Sequence, residues 1–409
     1  MIGNSGIYPS VRRTLRNMLR IQGMRAYWFF QSIAGGLEIL VLNSFPRPGT
    51  NEPGPRTRQL LLVNLQKLGD VVMMRRLIRD LRSCLPEAGV SIVVRKEYAD
   101  VLGGQDVPDR VVPVDTKRYR RSLPYRLRIL ADLRSRRFTQ AINLHLARSI
   151  LSDHLTLLSG ARTRIGFTGD GLFEASAIYK LVGGLYDHRL PLAGHHVLEI
   201  WRRLTVDSAL EPLLRKNGGR ELADWRSASG RAWRKRRSAR GLRIGIVASA
   251  STPLKCWPLQ RFVELLNRVG NERTTFVLLG SAAERHFLEK LRRWLLYPSE
   301  MAAGTYGLKD IWTMMGGLDL LVGNDSGIMH AGAAMGKPVL VIAAAGEPGR
   351  FWPYGGAAVV EHSPACAGCR WLCPYTEPHC ITSVSVDEVE KPLRNMLERI
   401  RGSKGPNDN

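Results

Sequence analysis

The chain reads as an α/β protein with two Rossmann-like, doubly wound parallel sheets facing a central cleft. Two buried-strand signals, Gln59-Leu-Leu-Leu-Val-Asn64 and Leu242-Arg-Ile-Gly-Ile-Val-Ala248, each open a segment of similar size. Behind each, short apolar runs alternate with stretches of helical period, the pattern of repeated βα units and a parallel sheet. The 409 residues suffice for two cores, and 44% hydrophobic with 23% charged residues is ordinary globular composition.

Residues 1–58 read as a basic extension ending in the Pro/Gly-rich linker Pro46 to Pro55. A first domain is expected over 59–225. Its strands are Gln59–Asn64, Ser91–Val94, Arg110–Val114, Gln140–Leu144 and Arg164–Phe167, and Val71–Cys84 is its first helix. Residues 213–240 read as the inter-domain region, and Arg226 to Arg243 holds eight basic residues and no acid. A second domain is expected over 240–409, with strands at Leu242–Ala248, Thr275–Gly280, Leu320–Val322 and Val339–Ile342. It ends in the amphipathic helix Val386–Ile400 and a polar tail.

Sixty Lys and Arg against 36 Asp and Glu give a net charge of +24. Such a field attracts polyanions, here an anionic membrane surface, with no specific nucleic acid expected. No uninterrupted apolar run of spanning length exists. Tyr27 to Leu42 is short and broken by Gln31, Gly35, Gly36 and Glu38, and no small-x-small cleavage signal follows it. The expected location is cytoplasmic, at the inner face of the membrane. The N-terminal helix either lies on that surface or packs on the body of the protein.

The segment Leu320-Leu-Val-Gly-Asn-Asp325-Ser-Gly-Ile-Met-His330 predicts strand, polar turn and helix. Asn324, Asp325, Ser326 and Gly327 then lie at a strand's carboxyl end, where open α/β sheets bind ligands. Their backbone N–H groups open a helix, ready for phosphate, while Asp325 can accept from sugar hydroxyls. Together these suggest a nucleotide sugar; an ordinary well-capped βαβ unit is the plainer alternative. His330, one turn on, either reaches the cleft or is a satisfied buried histidine.

Three further strand ends supply partners. In Asn64-Leu-Gln-Lys67-Leu-Gly69-Asp70, Asp70 is placed to act as a general base on an acceptor hydroxyl, or simply to cap a helix. Lys67 and Gly69 lie on the acceptor side. In Ser249-Ala-Ser251-Thr-Pro-Leu-Lys255-Cys-Trp-Pro258, Ser249, Ser251 and Lys255 can contact a diphosphate. Gly280 with Glu284 suits a ribose or base, or a helix cap. Finally Cys366, Cys369, Cys373 and Cys380 fall within fifteen residues, a cluster that suits structural zinc or, as the less favoured choice, an iron–sulfur site. His362 and His379 are alternates.

Several of these segments resemble the heptosyltransferases, family nine of the glycosyltransferases. They are Leu62-Val-Asn-Leu-Gln-Lys-Leu-Gly-Asp-Val-Val72, Asn143-Leu-His-Leu-Ala-Arg-Ser149, Gly160 to Phe167, Lys255-x-Trp-Pro, and Gly323-Asn-Asp-Ser-Gly-x-Met-His330. The resemblance implies the GT-B fold. It also implies inverting transfer of a sugar, typically heptose from ADP-heptose, to a lipid-linked or phosphorylated saccharide of the lipopolysaccharide-core kind. Asp70 falls on the family's catalytic base and Lys255 on its phosphate-binding lysine. Asp325, Ser326, Gly327 and His330 fall on the donor loop. No cofactor is required for catalysis on this reading. Gln66-Lys67-Leu68 departs from the pattern, which favours small hydroxyl residues there. The alternative is a non-catalytic GT-B-like protein that binds membrane or nucleic acid through its basic surface.

Overall fold

A computed structural model of the chain describes residues 34–41, 58–103, 108–168, 177–191, 197, 201, 241–354 and 356–402. The expected linker 46–55, the inter-domain region 213–240, His195, His196 and the tail beyond residue 402 lie outside the described residues.

Among the described residues twelve strands form two six-stranded sheets, parallel throughout. The first holds β1 (Gln59–Asn64), β2 (Gly89–Arg95), β3 (Arg110–Val114), β4 (Gln140–Asn143), β5 (Thr163–Phe167) and β6 (His188–Leu190), in the order β3-β2-β1-β4-β5-β6. The second holds β7 (Leu242–Val247), β8 (Thr274–Leu278), β9 (Ser299–Met301), β10 (Leu320–Asn324), β11 (Val339–Ala344) and β12 (Ala358–His362), in the order β12-β11-β10-β7-β8-β9. Each half therefore repeats the Rossmann winding, with its switch point beside the first strand.

The described helices are α1 (34–41), α2 (Leu68–Cys84), α3 (Thr116–Arg121), α4 (Leu123–Ser135), α5 (Ile150–Leu157), α6 (Ala177–Gly183) and α7 (Leu259–Val269). They continue with α8 (Arg285–Arg292), α9 (Ile311–Gly316), α10 (Gly327–Ala334), α11 (His379–Thr382) and α12 (Val386–Gly402). Among them none is long and apolar enough to cross a membrane.

Helix α2 forms because Val71, Met74, Leu77, Ile78 and Leu81 fall at helical spacing and are all buried, while Arg76 and Asp80 pair on its outer face. Helix α10 is short and built of small residues. A Cβ on Gly332 would meet Leu321 at 2.8 Å, so this helix lies almost on its sheet. One apolar core runs through both halves: Val71, Met74 and Ile78 share it with Leu321, Met329 and Val341. The two sheets thus enclose common apolar material as well as a cleft.

Several elements differ from expectation. Helix α2 begins at Leu68, so Gly69 and Asp70 lie in its first turn rather than in a preceding loop. Strand β10 extends to Asn324. Strands β6, β9 and β12 were not foreseen; they are edge or near-edge strands of three to five residues with no fully buried position. Helix α1 packs on the body: Ile39 is buried with Leu157, Val182 and Tyr186, and Glu38 is ion-paired with Arg126.

Candidate active site

Helices α2 and α10 meet across the cleft at their first turns. A Cβ on Gly69 would meet His330 at 2.6 Å, and one on Gly327 would meet Leu68 at 2.7 Å. Neither position has room for a side chain. The two motifs that the sequence separates by about 250 residues are therefore in contact. Around this contact opens a cleft of about 1200 Å³. Its lining includes Lys67, Gly69, Asp70, Arg95, Tyr98, Arg120 and His145 from the first half. From the second come Ser249, Ser251, Lys255, Glu284, Asp325, Ser326, Gly327, His330 and Trp371.

Asp70 is only 8% exposed, and no cation lies within ion-pair distance of it among the described residues. Burial pushes its carboxyl up to about 7, opposed by hydrogen bonds from the Lys67 and Asp70 backbone N–H groups that open α2. It is therefore about half ionised near neutrality. That is the condition in which a carboxylate is a competent proton acceptor.

Asp325 has the opposite environment. One oxygen receives Lys255 Nζ; the other accepts from Trp352 Nε1 at 2.8 Å and lies 3.5 Å from His330 Nε2. Burial works against ionisation, but His330 and Lys255 together hold this carboxyl well below the usual range. Both oxygens are thus engaged within the protein. Lys255 also sits 4.2 Å from the Trp371 ring centroid, and the Trp371 indole donates to Glu347 at 3.4 Å.

Ser326 is the N-cap of α10, yet its side chain makes no cap hydrogen bond, and its buried Oγ has no partner. A buried hydroxyl left unsatisfied at a helix start is poised for a ligand oxygen. His330 is buried and stacks on Trp352, with ring centroids 4.3 Å apart; its Nδ1 lies 2.8 Å from the Tyr354 hydroxyl. Burial pushes its proton affinity down, so it is a neutral member of an aromatic wall.

Other expected residues are placed differently. Asn324 is fully buried away from the cleft. Its amide donates to the Ala248 carbonyl at 2.7 Å and accepts from Trp257 N at 2.9 Å, tying β10 to the Lys255 loop. Glu284 lines the cleft but is held by Ser281, whose N–H and hydroxyl donate to it at 2.6 and 2.7 Å, so it serves as a cap. Lys67, read as acceptor-side, donates to Ser251 Oγ at 3.0 Å on the opposite half. The four loop cysteines are all half-buried free thiols, and burial together with the other three raises the Cys380 thiol. Among the described residues no group of three or more His, Cys, Asp or Glu side chains is arranged to hold a metal ion.

Sequence reading missed Trp352, Tyr354 and Trp371. The run Phe351-Trp-Pro-Tyr354 beyond the end of β11 was a signal for the first two, since aromatic residues past a strand's carboxyl end face the cleft. Trp371 is held by two consecutive left-handed residues, Arg370 and Trp371 itself at φ 52° and 68°. That backbone turns the ring onto Gly346, where an added Cβ would meet it at 2.6 Å.

Comparison with known proteins agrees with this architecture. The model of glycosyltransferase family 9 (heptosyltransferase) matches residues 126–369. Lipopolysaccharide heptosyltransferase 1 of Pseudomonas aeruginosa is 27% identical over 366 residues, covering 83% of this chain and 98% of that protein. A glycosyltransferase family 9 structure from Veillonella parvula superposes with a TM-score of 0.65 at 18% identity, covering 86% of this chain and 100% of its own. The ADP-heptose lipopolysaccharide heptosyltransferase II of E. coli gives 0.61 at 19% identity, covering 84% and 99%. These structural likenesses establish the GT-B fold. With that fold, a two-sided cleft and a family match over more than half its length, the chain belongs to the heptosyltransferases of glycosyltransferase family 9 and is a glycosyltransferase.

Proposed function

We propose that this enzyme moves a heptosyl unit from ADP-heptose to a lipid-linked or phosphorylated saccharide of the lipopolysaccharide-core kind, with inversion. The supporting observation is the pair of helix starts that face each other across one cleft. One carries a buried carboxylate with no cation partner, Asp70. The other carries the open Ser326 hydroxyl and the free N–H groups of α10, with Lys255 brought beside it from the loop after β7 by its ion pair with Asp325. The names of the Pseudomonas and E. coli relatives support the sugar, the nucleotide and the type of acceptor.

In this mechanism an acceptor hydroxyl attacks the anomeric carbon from the side of Asp70, which takes its proton. The bond from that carbon to the β-phosphate oxygen breaks, and the electron pair leaves with ADP. Lys255 and the α10 N-terminus neutralise the departing charge. One in-line displacement inverts the anomeric centre. Asp325 holds Lys255 ready for the diphosphate, and Asn324 fixes the loop that carries it. His330, Trp352 and Tyr354 wall off water. No step needs a metal or cofactor.

The acceptor would arrive from a membrane. Residues 117–137 carry nine Lys and Arg against one acid, and Arg120 lines the cleft. Between the arginines, Leu123 and Leu127 stand 55% and 50% exposed on one face of α4. Basic groups with apolar prongs suit peripheral binding to an anionic bilayer. The assignment is tested by incubating the enzyme with ADP-heptose and lipopolysaccharide-core acceptors and reading the anomeric configuration by NMR. Retention of configuration, or no transfer with any such acceptor, would sink it.

A further inference from the structure

We infer that Lys67, reaching over from the acceptor half, is a second cation for the donor diphosphate. It would bind the departing ADP jointly with Lys255. The inference rests on the proposed nucleotide-sugar function and adds a residue to it. Four observations converge. First, Lys67 is the N-cap residue of α2, and it lines the cleft at the point where α2 faces the second half. Second, its ammonium does not stay on its own half: it donates to Ser251 Oγ at 3.0 Å, on the same loop as Lys255. Third, no carboxylate lies within ion-pair distance of it among the described residues. The nearby acids are Asp325, which is held by Lys255, Trp352 and His330, and Asp70 in the α2 first turn. Fourth, the cationic neighbours Lys255 and Arg95 lie close enough to oppose its charge, and the described contact of this exposed ammonium is a single neutral hydroxyl at the cleft wall.

A cation in that position lacks an anion. A diphosphate between the two loops supplies one. Its oxygens would displace Ser251 as the Lys67 partner and meet Lys255 from the other side, at the start of α10. In this role Lys67 moves no proton. As the bond between the anomeric carbon and the phosphate oxygen breaks, the added negative charge on the β-phosphate falls between two ammonium groups instead of one. Because the lysines come from different halves, the donor itself would bridge the two sheets. Closure of the cleft would then depend on an intact diphosphate, and adenosine alone would not draw the halves together.

Calorimetry on the full-length enzyme with adenosine, AMP and ADP, alongside steady-state kinetics, tests this. Lys67→Met is expected to weaken ADP binding about 10- to 100-fold, the loss of one charge-assisted contact, with adenosine binding unchanged. The donor KM and the ADP inhibition constant should rise together while the acceptor KM holds. Lys67→Arg should restore ADP binding to within a few-fold, which separates loss of charge from a folding defect. ADP affinity in Lys67→Met within twofold of wild type, with the acceptor KM raised instead, overturns the inference and leaves the transferase function standing. A wild-type enzyme that binds no ADP would overturn both.

Discussion

Asp70 and Asp325 both sit where a strand hands over to a helix, both are buried, and both face one cleft, yet their surroundings drive them in opposite directions. Asp70 has no cation partner, and burial lifts it to about 7. Asp325 is gripped by Lys255, Trp352 and His330 and held strongly acidic. Two carboxyls pushed apart in this way fit the proposed division into a proton acceptor and a fixed anion. The difference lies in the partners: Asp70 sits in the first turn of α2 with backbone N–H groups as its hydrogen-bond donors, while Asp325 precedes α10 and is met by side chains. It should therefore appear as opposite responses to the same isosteric change.

The largest expected effect is on rate. Asp70→Asn should lower kcat about 10²–10⁴-fold, the usual size of general-base assistance, and leave ADP affinity intact by calorimetry. Near-normal turnover would remove the contrast between the two acids. Stability should move the other way. The folded pKa of Asp70 lies above its ordinary 3.8, so ionising it costs stability. That cost is absent below about pH 3.8 and complete above about pH 7. Asp70→Asn is therefore expected to raise the Tm at pH 8, with the gain shrinking as pH falls to 4. A lowered Tm at pH 8 would show that Asp70 has a partner after all.

Asp325→Asn should do the reverse and destabilise by about 3–5 kcal/mol, because it strands the Lys255 ammonium inside the cleft. Denaturant unfolding measures this. A change below about 1 kcal/mol would mean that the Lys255–Asp325 pair behaves as a surface pair. The pH dependence comes next in size. The rate should climb through about pH 7 as Asp70 loses its proton, and this limb should be absent in Asp70→Asn. Smallest is Gly69→Ala, where a methyl group would meet His330. It should cost about 1–3 kcal/mol and shift the His330 ring resonances in NMR spectra.

Much of the fold was legible because parallel strands buried on both faces leave continuous apolar runs. Gln59–Asn64, Leu320–Asn324 and Val339–Ala344 are such strands. The three-residue edge strands β6 and β9 leave no such run, and β12 has only the short run Ala357 to Val360, with no position fully buried in any of the three. In the site, Asp70, Lys255 and Ser326 were readable from their strand-end positions. The acceptor-side reading of Lys67 followed from its place in the chain, but the side chain is long enough to reach the other half. Asn324 looked like a turn residue because Asn usually marks turns; here its amide is used up between Ala248 and Trp257. Trp371 was invisible because only the left-handed backbone at 370 and 371 aims it at the cleft.

The mutual contact of Gly69 with His330 and of Gly327 with Leu68 also sets how the enzyme can move. Two helix starts pressed together, each with a glycine against a side chain of the other, form a fulcrum. Sliding one half along the other would drive backbone into ring and side chain, so the low-energy motion is a rocking about that point. Asp70 and Asp325, beside the fulcrum, would travel little during such a motion. The far rims of the cleft would sweep widely and admit a bulky acceptor while the reacting groups keep their spacing.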